Sequence, residues 1–451
     1  MVSIKAKHRQ IVYSALFIVA ASVCAFAQAK PPVVFIPGLT GTELVNAKTG
    51  EMVWFRLRRA KGDDLRLPIS PNIAANKDGL IPGDIIRSIK AGLLPRVDVY
   101  GGFLTALETK GGYREGKWDA PPPRGYENTV YIFAYDWRRD IVENSRLLIR
   151  KIEALKSRLR RPNLKFDVVG HSLGGLIARY AAMYGDADLP AGGSASSSWA
   201  GSKDISRLVI IGSPNEGSPL ALRNLINGFP LLGIELKLPF VQDLSKFDIF
   251  TIPAAFELLP APNSLMAFDD SLNAISIDVY DPATWTKYGW NVINDKDFAK
   301  EFTPAEQKAA PAYLAAVLER AKRLYQSLDL PVTAKTPVSI TSIGADCKDT
   351  LDAMVLYRKK DGAWDALFKA DSFTAPDGRK VTSDDLKAKI YAPGDGIVTK
   401  RSLTAATIAE ADGVESMFLP GTTFYICDGH DKLPGNEAVQ AKVLSILTGP
   451  K

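Results

Sequence analysis

The chain has 451 residues, of which 46% are hydrophobic and 24% charged, with a formal charge of +6 and three histidines. This is the composition of an ordinary globular protein, long enough for one large domain with an insertion or for two domains. Lys5, Lys7 and Arg9 supply half of the net charge from the extreme N-terminus, so the remainder is too nearly neutral to argue for a nucleic-acid partner.

The N-terminus reads as a targeting segment. A basic start is followed by an apolar stretch, Ile11 to Phe26, shorter than the roughly 20 residues of a comfortable membrane span. Ala25-Phe26-Ala27 and Ala27-Gln28-Ala29 both offer small-x-small cleavage sites. Val23 before Cys24 makes a poor lipoprotein box. The expectation is a signal peptide over 1–27, a mature domain over 28–451, and a location in a periplasm or outside the cell. Cys347 and Cys427 then remain in an oxidising compartment, each after a strand-like run, and are candidates for a disulfide.

Pro32-Val33-Val34-Phe35-Ile36 predicts a buried strand that breaks into the loop Pro37-Gly38-Leu39-Thr40-Gly41-Thr42. Residues from about 45 to 125 show no clear periodicity, apart from a helix beginning near Asp98. Thr129 to Ala134 predicts a strand. Leu148, Ile152, Leu155 and Leu159 then form one stripe of a helix, with arginines at its C-terminal end and Pro162 beyond it. The basic runs at Arg56–Arg59 and Arg158–Arg161 are read as solvated faces or helix ends, with anionic lipid headgroups as the other reading.

Lys165 to Val169 is strand-like, Leu176 to Tyr184 is helix-like, and Gly170-His171-Ser172-Leu173-Gly174-Gly175 joins them. Strand, G-x-S-x-G, helix is the nucleophile elbow of serine hydrolases built on an α/β sheet. Gly170 and Gly174 supply the smallness that the turn demands. In such a fold the backbone N–H groups of Leu39 and Leu173 are the candidates for an oxyanion hole.

Ser206 to Ile211 predicts a further strand. From about 219 to 331 the alternation of strands and helices stops, and the segment is rich in apolar residues, among them Leu231, Leu232, Leu236, Phe240, Phe247, Phe250, Phe256, Leu258 and Leu259. It reads as an inserted cap that either lines an acyl-chain site or packs onto the core. Thr303-Pro304-Ala305-Glu306 opens a helix with capping-box spacing that runs to about Leu328. Val338 to Ile343 resumes the sheet, a polar hairpin-like region follows around Tyr357 to Ala392, and Thr423 to Ile426 is the last strand before a closing helix at Asn436 to Leu447. The sum is an α/β fold with a mostly parallel sheet, crossover helices and an inserted apolar cap.

Of the three histidines, His8 lies in the targeting segment and His171 is fixed in the elbow, where it is expected to point away from the catalytic face. His430, after the last strand, is left as the base. The acid should fall between the serine and the histidine in chain order. Asp395, in a Gly-Asp-Gly turn, and Asp346, just past a strand, are both candidates. One usable histidine and two separated cysteines cannot build a zinc site, and neither a phosphate-binding loop nor a dinucleotide fingerprint is present, so no metal or cofactor is expected.

Several segments resemble the lecithin:cholesterol acyltransferase family, with its lysosomal phospholipase A2 and phospholipid:diacylglycerol acyltransferase relatives. They are PVVFIPGLTGTEL at Pro32–Leu44, AYDWRRD at Ala134–Asp140, VVGHSLGG at Val168–Gly175, IFTIPAAFELLP at Ile249–Pro260 and GDGIVTKRSL at Gly394–Leu403. The resemblance implies the α/β-hydrolase fold, a Ser172–Asp395–His430 triad with oxyanion amides at Leu39 and Leu173, and Asp395 rather than Asp346 as the acid. It also implies an acyl-lipid substrate at a membrane or lipid surface, with the acyl group passed from the serine to water or an alcohol. The chain departs from the family in having no cysteine between Leu44 and Tyr131, so the disulfide-closed loop of the animal enzymes is absent, and in carrying Ile397 where the acid turn usually has Thr. Hydrolysis of a non-lipid ester, and a non-catalytic envelope binding protein on the same fold, are the alternative readings.

Overall fold

The computed structural model describes residues 30–56, 64–90, 96–190, 197–230, 243–329, 336–406 and 422–449. The expected signal peptide and Leu231, Leu232, Leu236 and Phe240 of the expected cap lie outside the described residues.

Seven strands form the central sheet: β1 (Val33–Ile36), β2 (Arg114–Gly116), β3 (Thr129–Ile132), β4 (Phe166–His171), β5 (Ile205–Ile211), β6 (Ser339–Gly344) and β7 (Thr423–Tyr425). Their order is β7-β6-β5-β4-β1-β3-β2, and every neighbouring pair is parallel. Strands β1, β3 and β4 are buried throughout. That is why they read as mostly apolar runs rather than as alternating ones, with Thr129, Asp167 and His171 as their buried polar members.

The alternation is still present, but it sorts residues between two apolar layers. Val34 and Ile36 of β1 join one cluster, Val33 and Phe35 the other. The first layer is covered by α2 (Ile141–Leu159) and α3 (Leu173–Tyr184), the second by α1 (Gly101–Thr109) and the closing helix Glu437–Thr448. The predicted stripe of α2 faces inward, with Leu148, Ile152 and Leu155 fully buried. Asp140 caps its start by accepting from the Glu143 amide at 2.7 Å, and Arg160 ends it in the left-handed region at φ 54°, two positions before Pro162.

Two long excursions leave this sheet. The first, between β5 and β6, holds α4 (Pro219–Asn227), α5 (Pro304–Leu328) and several short helices. Helix α5 starts where predicted, with Thr303 and Glu306 closing a capping box. The ring of Phe250 meets those of Phe256, Phe298, Phe302 and Tyr313 edge-on. Phe250, Phe256 and Leu259 are thus buried in the core that the segment shares with one face of the sheet, while Phe229, Phe247 and Leu258 are partly exposed.

The second excursion, between β6 and Asp395, is more than the polar hairpin expected of it. Ala353–Arg358 pairs antiparallel with Trp364–Leu367 and, on its other edge, parallel with Met266–Phe268 of the first excursion. With the helix Ser383–Ile390 it closes a small core of Ala353, Val355, Val381, Leu386 and Ile390. Cys347 and Cys427 are joined by a disulfide, with Cα atoms 5.6 Å apart. The stretch from 42 to 85 also contains a three-stranded antiparallel sheet, Met52–Trp54, Thr42–Asn46 and Leu80–Ile85. Its strands are too short to announce themselves by periodicity.

Because all seven strands of the sheet are parallel, the loops that follow β1, β4, β5, β6 and β7 gather at one edge. Crevices at that edge, where the chain order reverses beside β1, are where sheets of this kind bind ligands.

Candidate active site

Ser172 stands at the end of β4, at φ 53° and ψ −122°, a conformation that costs an ordinary residue about 1–3 kcal/mol and must be held by its surroundings. Its amide donates to the Ile211 carbonyl of β5 at 2.8 Å. A Cβ on Gly170 would lie 2.6 Å from the Gly174 carbonyl oxygen, and one on Gly174 would lie 2.5 Å from that of Ile36. No side chain fits at either position while helix, elbow and β1 keep this distance.

The His430 imidazole bridges the serine and a carboxylate. Its Nε2 lies 2.9 Å from Ser172 Oγ, and its Nδ1 lies 2.8 Å from Asp395 Oδ2. The other carboxylate oxygen accepts from the Ile397 amide at 2.9 Å and the Val398 amide at 2.7 Å. An ionised carboxylate only accepts, so Nδ1 carries the imidazole proton and Nε2 is left free to accept one from the serine. Burial pushes the Asp395 carboxyl up, but His430 and the two amides outweigh it and hold it below the usual carboxylate value. Burial pulls His430 down, and Asp395 with Asp431 outweighs that, so its pKa rises above 6.5.

The pair is held by contacts between distant segments. The His430 amide donates to the Asp395 carbonyl at 3.0 Å. Gly212, at the end of β5, has φ 58°, and a Cβ there would lie 3.2 Å from His430 Nδ1 and 3.3 Å from Asp395 Oδ2, so a side chain here would be strained and would press on the pair. Asn215 donates to the Leu403 carbonyl at 2.7 Å, Ser218 to that of Ile397 at 3.0 Å, and Ser402 to that of Gly217 at 2.7 Å. Thr350, from the second excursion, accepts from the Gly396 amide at 2.8 Å. Sequence reading missed all four of these side chains. The loop after β5 and its partners lie far apart along the chain.

The other predicted residues fall as follows. Asp346 pairs with Lys400 at 3.3 Å. Leu173 is the first residue of α3, so its N–H has no partner within the helix and lies at the positive end of the helix dipole. Leu39 follows Gly38, whose added Cβ would lie 3.0 Å from Ser172 Cβ, so this loop passes directly against the elbow. Cys427 places the disulfide just before His430. His171 was expected to point away from the catalytic face. It lies behind it, its ring 5.0 Å from that of His430 and its Nε2 3.3 Å from the His430 carbonyl oxygen. Among the described residues no group of histidine, cysteine or acidic side chains assembles as metal ligands.

Fold and geometry together define the class, which is the α/β-hydrolase fold with a serine, a histidine and an aspartate in hydrogen-bonded series. The solved Tle4–Tli4 complex shares the fold at a TM-score of 0.52, with 13% identity over 92% of this chain and 98% of that chain. The lecithin:cholesterol acyltransferase family model matches residues 123–281, which run from before β3 through the elbow into the first excursion. Also similar are the product of the gene lin2722 from Listeria innocua, at 14% identity over 94% of this chain and 95% of that chain with a TM-score of 0.32, and phospholipase PlaB from Legionella pneumophila, at 15% identity over 55% of this chain and 36% of that chain with a TM-score of 0.25. No curated protein sequence matches the chain.

Proposed function

We propose that this protein is an exported serine esterase acting on acyl-lipid esters, a phospholipase or O-acyltransferase. The observation that carries the reading is the His430 imidazole held between Ser172 Oγ and Asp395 Oδ2. His430 takes the hydroxyl proton as the Ser172 oxygen attacks the ester carbonyl, and Asp395 holds the ring and stabilises the imidazolium. The amides of Leu39 and Leu173 receive the oxyanion of the tetrahedral intermediate. Collapse expels the alcohol, protonated by His430, and leaves an acyl-Ser172. Water or a second alcohol, deprotonated by His430, then releases the acyl group.

The lipid part of the reading is supported by the family match over residues 123–281. Residues 219–331 serve as the cap over the site. Residues 1–27 direct export. No described helix is long and apolar enough to cross a membrane.

Incubation of the mature protein with a labelled phospholipid, with and without a long-chain alcohol, tests the reading. Free fatty acid alone assigns a hydrolase, and a new ester in the presence of alcohol assigns a transferase. Release only from short water-soluble esters moves the substrate away from lipid. No product from any ester, together with no fluorophosphonate label on Ser172, leaves a binding protein on a hydrolase fold.

A further inference from the structure

A second hydrogen-bonded chain lies behind the site, and the proton path from Ser172 to Asp395 does not use it. The Gly38 amide donates to the Tyr100 hydroxyl oxygen at 2.8 Å, and that hydroxyl lies 2.8 Å from His171 Nδ1. His171 Nε2 lies 3.3 Å from the His430 carbonyl oxygen. A carbonyl only accepts, so Nε2 carries the His171 proton, Nδ1 is bare, and the Tyr100 proton points to it. Every group in the series is then satisfied, and His171 is neutral. Burial, with His430 close by, pulls its pKa down to about 3. A charge on His171 would sit against the one ring that must itself become positive during turnover.

The same loop is held from its other side. Tyr135 donates to the Pro37 carbonyl at 2.8 Å. Pro37 C=O and Gly38 N–H are the two ends of one peptide unit. Two buried tyrosines, one just before α1 and one just after β3, thus clamp that unit at both ends, and the next amide along the chain is that of Leu39.

We infer that Tyr100, Tyr135 and His171 are positioning residues, which fix the Leu39 amide through the Pro37–Gly38 peptide and tie it to the backbone of His430. The inference rests on the catalytic reading of Ser172 and His430. Its consequence is that oxyanion loop and base are set by one buried network, so that loosening either end misplaces the group at the other. A displacement well under an ångström at such a site costs rate without weakening substrate binding.

The experiment compares full-length mature enzyme with Tyr100→Phe, Tyr135→Phe, His171→Gln and His171→Leu. Tyr113→Phe serves as the control, since Tyr113 is equally buried, has no hydrogen-bond partner for its hydroxyl and lies outside this network. Phenylalanine at position 100 keeps the ring that packs on Phe35 at 5.3 Å. The readouts are kcat, KM, thermal midpoint and affinity for an alkylboronic acid, which forms a tetrahedral adduct with the active serine and fills the oxyanion site. Tyr100→Phe is expected to lower kcat about 10-fold and to weaken the boronate by about as much, with KM within about twofold. Tyr135→Phe moves in the same direction by less. His171→Gln, a neutral side chain that keeps a donor for the His430 carbonyl, retains more activity than His171→Leu. Wild-type kcat and boronate affinity in Tyr100→Phe would overturn the inference, as would an equal loss in Tyr113→Phe. A wild-type enzyme that neither cleaves esters nor binds the boronate removes the catalytic reading first, and the inference with it.

Discussion

The two halves of the candidate site are built by different physics. On the nucleophile side, Ser172 is set by steric exclusion over a short stretch of chain: β4, a strained turn, α3, and glycines whose missing side chains let three backbones touch. On the acid–base side, Asp395 and His430 are brought together across long sequence separations. They are held by hydrogen bonds donated by Asn215, Ser218 and Ser402 and one accepted by Thr350, and by a disulfide that closes a separation of 80 residues. A strained serine needs rigidity within an ångström, which close packing supplies. A histidine that must shuttle a proton needs a fixed direction and a fixed partner charge, which directional polar bonds supply. The first design is unforgiving of added volume, and the second of lost partners.

Removing charge without shape is the strongest test of the second half. Asp395→Asn should keep the fold and lower kcat about 10⁴-fold, because an amide at this place can turn its donor side to Nδ1 and leave the wrong tautomer facing Ser172. The acid limb of kcat/KM should also move. In the wild type it lies above 6.5, because Asp395 and Asp431 outweigh burial at His430. In the variant burial remains while the Asp395 charge is gone, so the limb falls. The stability sign follows from linkage. The raised His430 contributes stability below 6.5 that is lost as pH climbs through its folded value. The depressed Asp395 contributes stability above 3.8 that is lost as pH drops through its folded value. The gap in thermal midpoint between wild type and variant should therefore be widest between 3.8 and 6.5 and narrow on either side. A gap that is flat with pH would mean the pair is not charged as the geometry requires.

Next in size is the disulfide. Replacing Cys347 and Cys427 with serine frees an 80-residue separation, which the chain-entropy account values at about 4 kcal/mol, an upper figure for a folded neighbourhood with other ties. Because Cys427 lies just before His430, the loss should reach turnover as well: kcat falls and KM holds, measured alongside urea unfolding. Lost stability with unchanged kcat would show that the hydrogen bonds alone fix the histidine.

The first half breaks in the opposite way. A Cβ on Gly175 would lie 1.8 Å from Ser213 Oγ and 2.8 Å from Ser213 Cβ. Gly175→Ala should destabilise by about 2 kcal/mol through overpacking. Ser213→Ala, which removes a buried hydroxyl without a partner, should be close to neutral alone and should return part of that loss in the double variant, a positive coupling in the cycle. Additive effects would separate the helix start from the loop after β5.

The same division explains what could be read from the chain before its structure was known. The elbow was legible because its constraint is local, with small residues at fixed spacing between a strand and a helix. Six of the seven central strands, α2 and α5 were legible from apolar runs, one stripe and a capping box, whereas β2 (Arg114–Gly116), short and largely exposed, was not. The second excursion was not, since strands of two to six residues carry little periodicity and their apolar faces meet only after folding. The partners of His171 were not legible because its position in the elbow says where its backbone is, while its side chain is directed by Tyr100, a residue from a distant helix start. The sequence favoured Asp395, in its Gly-Asp-Gly turn, and kept Asp346 as the rival acid. Only the fold brings Thr350 and the loop after β5 around one of them.

That last pair supplies the smallest predicted effect. Asp346 forms a partly exposed ion pair with Lys400, and pairs of this kind contribute about 0–1 kcal/mol. Asp346→Asn should shift the thermal midpoint by no more than a degree or two, less in high salt, and should leave kcat within about twofold. Both aspartates sit in turns after strands, and the substitution is chemically identical at each. The ratio of the two kcat losses therefore measures what the long-range polar frame around Asp395 adds to a bare carboxylate. A loss at Asp346 approaching that at Asp395 would mean that His430 changes partner during turnover, and that the acid–base side is no more fixed than its exposed neighbour.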